Sequence, residues 1–494
     1  MKYKMRKQMR KAIIILFWLI VWQIAAVWTD NHILLVGPVQ VLRTFVQNMT
    51  QPDFLKTVFY SFARIGLGFF LALCIGLFLG AVSYRFPFIQ ELSAPVMAAL
   101  KSIPVASFVV LLLIWFGSSR LSFFISFLIV FPNVYVNTIA GLKSADLKLL
   151  EMARVFGMGR FSRFFYIYRP ALMPYLSRCL KISLGMSWKS GVAAEVIGLP
   201  DFSMGERLYM SKIYLDTAGL LAWTLMIVLV SFLFEKAVLL MVRIYGDWKP
   251  YPMLTAKGTA PGEGISSAKD NGLSLSLKSA MTDDIQISHV SKSFGDQHVL
   301  RDYSLTMEKG QRYLMMAPSG TGKTTFLRIL TGLDNADQGD IIGMPAHTGM
   351  VFQEDRLCEE YDAICNIMLG MGKNQSRSQC KDNGGCDMNR AQIVEFVRQE
   401  AARILPEDCL TKSVKELSGG MRRRVALLRA ILSASDLLIL DEPFTGLDEE
   451  NRVRSAAYLL EHLNGRTLLV TTHREDDVEL LQGVKVTLVF SKSL

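Results

Sequence analysis

The chain has 494 residues, 51% of them hydrophobic, and a formal net charge of +10. That length admits two or three domains, and that apolar content excludes a chain soluble throughout. Lys and Arg are bunched at the N-terminus and in two loops between apolar runs, a membrane-topology pattern that gives no reason to expect a nucleic-acid partner.

The first apolar run, Ala12 to Thr29, follows Lys2, Lys4, Arg6, Lys7, Arg10 and Lys11 and is about the length that crosses a bilayer. A signal peptide fits less well, because the apolar core is long and Val27-Trp28-Thr29-Asp30 offers no small-residue cleavage site. Further runs near 60–83, 104–117, 121–141, 180–199 and 217–242 make about six spans in contact with membrane lipid, the third short and preceded by Pro104. Arg85 and Lys101 flank one loop, and Lys143, Lys148, Arg154, Arg160, Arg163, Arg169 and Arg178 crowd another. Both loops are therefore expected in the cytoplasm, and six spans from an internal N-terminus return the chain there.

Residues 246–282 are rich in Pro, Gly, Ser and Lys and are expected to link a domain at 1–245 to one at 283–494. In the second domain apolar runs shorten to strand length, as at Arg312 to Ala317, Leu437 to Leu440 and Thr467 to Val470, and alternate with helical stretches. The fold class expected is thus an all-α polytopic transmembrane domain followed by an α/β P-loop domain. A polar stretch, 371–390, reads as a surface insertion. The seven cysteines form no repeating framework and are expected as free thiols; Cys380 and Cys386 have no neighbouring His to complete a metal site.

The segment Ala317-Pro-Ser-Gly-Thr-Gly-Lys-Thr-Thr325 follows a predicted strand and precedes a predicted helix, the context of a phosphate-binding loop. Gly320 and Gly322 let backbone N–H groups close on phosphate oxygens, and the helix N-terminus adds partial positive charge. Ser319, Gly320, Thr321, Gly322, Lys323, Thr324 and Thr325 are the ATP-binding candidates, with Lys323 reaching the β and γ phosphates and Thr324 ligating Mg2+. Ala317 stands where the first Gly is usual. Leu437 to Glu442 is an apolar strand ending in two acids: Asp441 is expected in the Mg2+ shell and Glu442 as the base that polarises the attacking water.

Leu417-Ser-Gly-Gly-Met421 upstream of that strand and His473 downstream of it make 283–494 resemble the ATP-binding cassette family. The resemblance implies that Ser418, Gly419 and Gly420 cap the γ-phosphate on an opposite subunit, that His473 contacts that phosphate, and that Gln353 links Mg2+ to the membrane domain. Asp448, in Gly446-Leu-Asp448, would touch the partner cassette, and Phe294 would stack on adenine. Met421 departs from the polar residue common after the signature.

Glu151, Ala153 and Gly157, followed by Ile167 and Pro170, resemble the EAA loop of bacterial binding-protein-dependent permeases, with Met152 for one Ala and Arg169 for the Leu. Segment 151–170 is therefore expected to form a short amphipathic helix that plugs into the ATPase. Over about 55–240 the chain looks like the nitrate, sulfonate and taurine permease subfamily. That implies a type I importer in the bacterial cytoplasmic (inner) membrane, working as a homodimer with a separate extracellular or lipid-anchored solute-binding protein. Its substrate is expected to be a small anion such as nitrate, a sulfonate, taurine or bicarbonate. The alternatives are a neutral thiamine-pyrimidine-like heterocycle, or an exporter or ATPase-gated regulator. Lys189 and Glu195 are charges inside an apolar span and are candidates for the solute pathway.

Overall fold

The computed structural model describes the chain except residues 1, 30, 32, 253–283, 317–320, 372–389 and 488–494. It forms two compact units: Met1–Ser144 with Ala171–Trp248, and Ala145–Pro170 with Lys249–Leu494.

The first unit is helical. It contains α1 (Lys2–Thr29), α2 (Pro38–Met49), α3 (Phe54–Arg85), α4 (Pro87–Ser102), α5 (Val105–Phe116) and α6 (Ser118–Lys143). The chain then contributes α7 (Leu147–Val155) and α8 (Arg160–Arg163) to the second unit, and comes back through α9 (Arg169–Gly198), α10 (Met204–Ile213) and α11 (Thr217–Asp247). Among the described residues α3, α6 and α11 are each long and apolar enough to cross a membrane, and Ile13–Thr29 is a shorter apolar helix. The run expected at 104–117 is one limb of a pair: α4 and α5 meet that test together and are bent by 102°. The break falls at Ile103-Pro104, where proline lacks the N–H that would continue the helix. The run expected at 180–199 lies within α9, which starts at Arg169, carries Arg178 and Lys181, and is not among the described helices that meet that test.

Helices α3 and α6 pack closely because α3 presents small residues every fourth position. A Cβ at Gly68 would stand 2.3 Å from the Phe123 carbonyl oxygen, at Gly76 2.8 Å from Val134 and at Gly80 2.8 Å from Thr138. Small residues at such a stripe let backbones approach where lipid supplies no hydrophobic drive. Beside it Phe234 of α11 meets Phe62, Phe69 and Trp188 at ring-centroid distances of 5.4, 5.6 and 5.8 Å, an aromatic core built by three helices.

The second unit holds two sheets. Strands β1 (Ile285–Phe294), β2 (Gln297–Met307) and β4 (Gln338–Ile342) form an antiparallel sheet in the order β2-β1-β4. With β3 (Arg312–Met316), β5 (Thr348–Val351), β6 (Leu437–Asp441), β7 (Thr467–Thr472) and β8 (Val484–Thr487), the other sheet is parallel, ordered β5-β6-β7-β3-β8. Every residue of β6 and β7 is buried, as the unbroken apolar runs of a parallel sheet covered on both faces require. The helices are α12 (Lys323–Leu330), α13 (Ala363–Gly370), α14 (Arg390–Ala402), α15 (Gly419–Ile431), α16 (Glu449–Glu461) and α17 (Asp476–Leu481). This order sets the C-terminal ends of β6, β7 and β3 side by side, the edge at which open α/β sheets bind ligands.

Candidate functional site

Residues expected to handle phosphate gather at those three strand ends. Ser319 and Gly320 lie outside the described residues. Gly322 precedes α12 with φ 86°, and a Cβ there would come within 2.8 Å of Val299, so the turn admits only glycine. Lys323 opens α12 and is buried, its Nζ 3.3 and 3.4 Å from the two ring nitrogens of His473. Burial lowers its ammonium below the usual value, against the pull of Glu442 and Asp441. Thr321 and Thr325 flank it, both half-buried.

Thr324 Oγ1 lies 3.4 Å from Asp441 Oδ2, and Asp441 Oδ1 accepts 2.6 Å from the Thr471 hydroxyl. Burial pushes the Asp441 carboxyl up, opposed by the Thr471 bond and reinforced by Glu442. A hydroxyl beside a buried carboxylate is a hard-oxygen donor pair suited to Mg2+, with phosphate oxygens to complete the shell. The next residue, Glu442, has φ 49°; its N–H donates 3.0 Å to the Thr471 carbonyl, and its Oε1 lies 2.6 Å from His473 Nε2. A left-handed backbone at a bulky residue persists only where its surroundings fix it. The base candidate and its histidine therefore share one short contact above Lys323.

The signature residues face outward. Ser418 caps α15 by accepting from Met421 N at 3.4 Å and is exposed with Gly419, while Gly420 is half-buried. Asp448 is exposed and caps α16 through Asn451 N at 3.1 Å. Phe294 is 53% exposed, with the Lys292 ammonium 5.5 Å from its ring centre. Gln353 follows β5 with an exposed side chain, so its expected Mg2+ link is not formed by a described contact.

Segment Ala145–Pro170 belongs to this second unit. Asp146 caps α7 through Lys148 N at 2.8 Å; at the other end Gly157, φ 60°, closes it, with Gly157 N donating to Arg154 O and Met158 N to Ala153 O. That paired closure needs a left-handed residue, which accounts for the glycine. Ala153 is fully buried, and Pro170 is the second residue of α9, which continues directly from a π-helical turn at Phe164–Tyr168. Glu151 takes two bonds from Arg328 at 2.8 and 3.0 Å and one from Arg356 at 2.7 Å, and Arg328 also pairs with Asp334 at 2.6 Å. Lys148 meets Glu354, adjacent to Gln353, at 2.6 Å. Tyr361 Oη donates to the Phe165 carbonyl at 2.9 Å and its ring lies 5.0 Å from that of Tyr166.

Of the expected linker 246–282, Gly246 and Asp247 end α11, and the residues from Lys249 belong to the second unit. Tyr166 Oη donates to the Pro250 carbonyl and Tyr251 Oη to Asp362, both at 2.7 Å. The rest lies outside the described residues, as do Cys380, Cys386 and all of the 371–390 insertion except its two end residues; the five described cysteines are free thiols.

In the first unit Glu195 is fully buried and accepts from Ser61 Oγ at 2.8 Å and Gly205 N at 3.2 Å, which ties α3, α9 and α10 together. Lys189 is exposed on α9. The two charges do not meet.

Sequence reasoning missed Arg423, which is 4% exposed and bonded to backbone on both sides of the site. Apart from Asp355, its partners are main-chain carbonyls, for which a sequence carries no signal.

Comparison with known proteins places these features. Residues 300–445 match the family described as ABC transporter, and residues 72–245 match the binding-protein-dependent transport system inner membrane component. An aliphatic sulfonates import ATP-binding protein of Rhodococcus jostii is 35% identical over 41% of this chain and 70% of its own length. The chain belongs to the ABC transporter family. A taurine import ATP-binding protein of Pseudomonas aeruginosa is 34% identical over 37% of this ABC transporter chain and 68% of its own length. A Nod factor export ATP-binding protein of Cupriavidus metallidurans is 35% identical over 41% and 66%. A solved dimeric bacterial ABC transporter cassette is 24% identical, covers 41% of this chain and 94% of its own, and has a TM-score of 0.35. This ABC transporter chain therefore joins a permease component to an ATP-binding cassette, whose activity is ATP hydrolysis coupled to transport.

Proposed function

We propose that the chain is a type I ABC importer that works as a homodimer in the bacterial cytoplasmic membrane and takes up a small anion handed over by a separate solute-binding protein. The observation that carries this reading is the clasp of Arg328 by Glu151. It ties the EAA-like helix α7, encoded within the permease, to α12, whose first turn holds Lys323 and Thr324. A push on α7 is thus a push on the phosphate-binding helix.

In the bound state Lys323 neutralises phosphate charge and the N-terminus of α12 faces the same oxygens. Glu442 Oε1 takes the proton of the attacking water, and the His473 ring beside it holds that carboxylate in place. Thr324, Asp441 and Gln353 would hold Mg2+, which supplies charge neutralisation at the phosphates when bound. The outward Ser418 and Gly419 suit a second cassette that completes the γ-phosphate site, hence a dimer that is inactive as separate copies.

An anionic solute is supported by the names of the sulfonate and taurine import relatives and by Lys189. That ammonium is exposed on α9, nine residues or roughly 14 Å from the helix end at Gly198, and has no carboxylate partner among the described residues. A cation at that depth is costly against hydrocarbon and suits a water-filled path. The export relative keeps a second direction open. Cells expressing the full chain with a sulfonate-binding solute-binding protein are expected to accumulate labelled taurine or methanesulfonate, and the purified chain to hydrolyse ATP faster with loaded binding protein. Net efflux, or turnover indifferent to binding protein and solute, overturns the importer reading.

A further inference from the structure

We infer that Arg423 is a positioning residue that sets the geometry of Asp441 and Glu442 according to the state of the segment after β5. The inference requires ATP hydrolysis by this cassette but neither the direction of transport nor the solute. Arg423 stands one turn into α15, the helix that begins at the signature. Its Nη1 donates to the Phe352 carbonyl at 2.6 Å, to the Gln353 carbonyl at 3.3 Å and to Asp355 Oδ1 at 3.2 Å. Its Nη2 donates to the Asp441 and Glu442 carbonyls at 2.5 and 2.7 Å, and its Nε to the Pro443 carbonyl at 3.1 Å. One guanidinium, with all of its nitrogens engaged, thus spans two stretches of chain about 90 residues apart and fixes three successive carbonyls around the left-handed Glu442.

Only a planar five-donor cation can bridge two such backbone walls at once; a lysine ammonium reaches one of them. Arg429, two turns further along α15, fastens the same segment by donating to the Arg356 and Asp355 carbonyls at 2.8 and 3.0 Å. Arg356 in turn holds Glu151. A continuous set of contacts therefore runs from α7 through Arg356 and residues 352–355 to Arg423 and on to the carbonyl of the base candidate. Among the described residues the Arg423 side chain donates to carbonyls and to Asp355, so it acts on the reacting water through Glu442.

Misplacing a catalytic group by about an ångström costs up to roughly a hundredfold in rate while leaving ground-state binding intact. The test uses the full chain in lipid nanodiscs with Arg423→Gln, Arg423→Lys and Arg423→Met. Turnover at saturating MgATP is expected to fall at least about tenfold in Arg423→Gln, with the Kd for a fluorescent ATP analogue within about threefold of wild type and the melting temperature nearly unchanged. Glu151→Gln is expected to lower turnover in the wild-type background and to have little further effect in the Arg423→Gln background, the non-additivity of two residues in one chain of contacts. Wild-type turnover in Arg423→Gln, loss of ATP binding in parallel with turnover, or independent multiplication of the two effects each overturns the proposal. Should Arg423→Met fail to fold, Arg423→Gln and Arg423→Lys decide it.

Discussion

Glu151 and Arg328 lie 177 positions apart in the chain and meet through two parallel hydrogen bonds of 3.0 and 2.8 Å. A bidentate carboxylate–guanidinium pair fixes angle as well as distance, so α7 cannot rotate without moving α12. Glu151→Gln keeps the shape and removes the charge, at a cost of roughly 1–3 kcal/mol for a charge-assisted bond. Transport is expected to drop severalfold more than basal ATP hydrolysis, measured side by side in proteoliposomes. An equal drop in both assigns Glu151 to stability alone.

The same pair gives a pH signature. Chiefly the Arg328 hydrogen bond, then the charges of Arg328 and Arg356, hold the Glu151 carboxyl below its ordinary value of 4.5, against burial. A lowered folded-state value means that the pair's stabilisation is complete above that ordinary value and is lost as pH falls beneath it. The melting-temperature gap between wild type and Glu151→Gln is therefore expected to stay constant from neutral pH down towards 4.5 and to close below it. A gap that widens on acidification contradicts the assignment.

Glu442→Gln removes the proton acceptor and leaves Lys323, Thr324 and Asp441 in place. Turnover is expected to fall by about a hundredfold or more, the size of a general-base contribution, with ATP still bound tightly. Steady hydrolysis by this variant, followed by phosphate release, would move the base to another group.

Lys189→Ala is expected to reduce anion uptake at least tenfold while ATP hydrolysis persists, if the ammonium borders the solute path. Uptake assayed with nitrate, bicarbonate, taurine and methanesulfonate checks it: undiminished transport of all four removes Lys189 from the path.

Gly76→Val tests the stripe that seats α3 on α6. Even the Cβ of Val would stand 2.8 Å from Val134, so the helices must separate, at a cost of the 1–3 kcal/mol order seen for overpacking. A lowered melting temperature with an intact cassette is expected, whereas Gly117→Ala, where no neighbour lies within 4 Å of the added Cβ, meets only its own backbone strain at φ 73°.

The parts of this molecule that the sequence displays are those whose chemistry needs neighbouring positions. The phosphate loop, the Leu417 to Met421 signature and the acids after β6 each place functional groups within a few residues, so their strand–loop–helix settings could be read directly. Elements lost to view are those in which one physical signal masks another. Arg169 and Arg178 made the start of α9 look like loop, although i,i+4 spacing keeps the opposite face of that helix buried. Pro104 made a short span of what is half of a bent pair. Residues 249–252 looked like linker because Pro and Tyr carry no periodicity, yet Tyr251 and Pro250 are bonded to Asp362 and Tyr166. Arg423 was invisible because five of its six acceptors are carbonyls, which have no letter in a sequence.

The second unit is assembled from two separated stretches, and this has a consequence for biosynthesis. The ribosome makes residues 145–170 long before the cassette that receives them, so the socket for Glu151 does not yet exist when α7 emerges. A permease and an ATPase made as separate proteins must find each other by diffusion. Here the tether presents the late-made socket at an effective concentration on the order of millimolar, and matches one cassette to every permease whatever the expression level. Residues 249–252 add to this by bonding to both partners of the search, Pro250 to Tyr166 of the inserted segment and Tyr251 to Asp362 of the cassette.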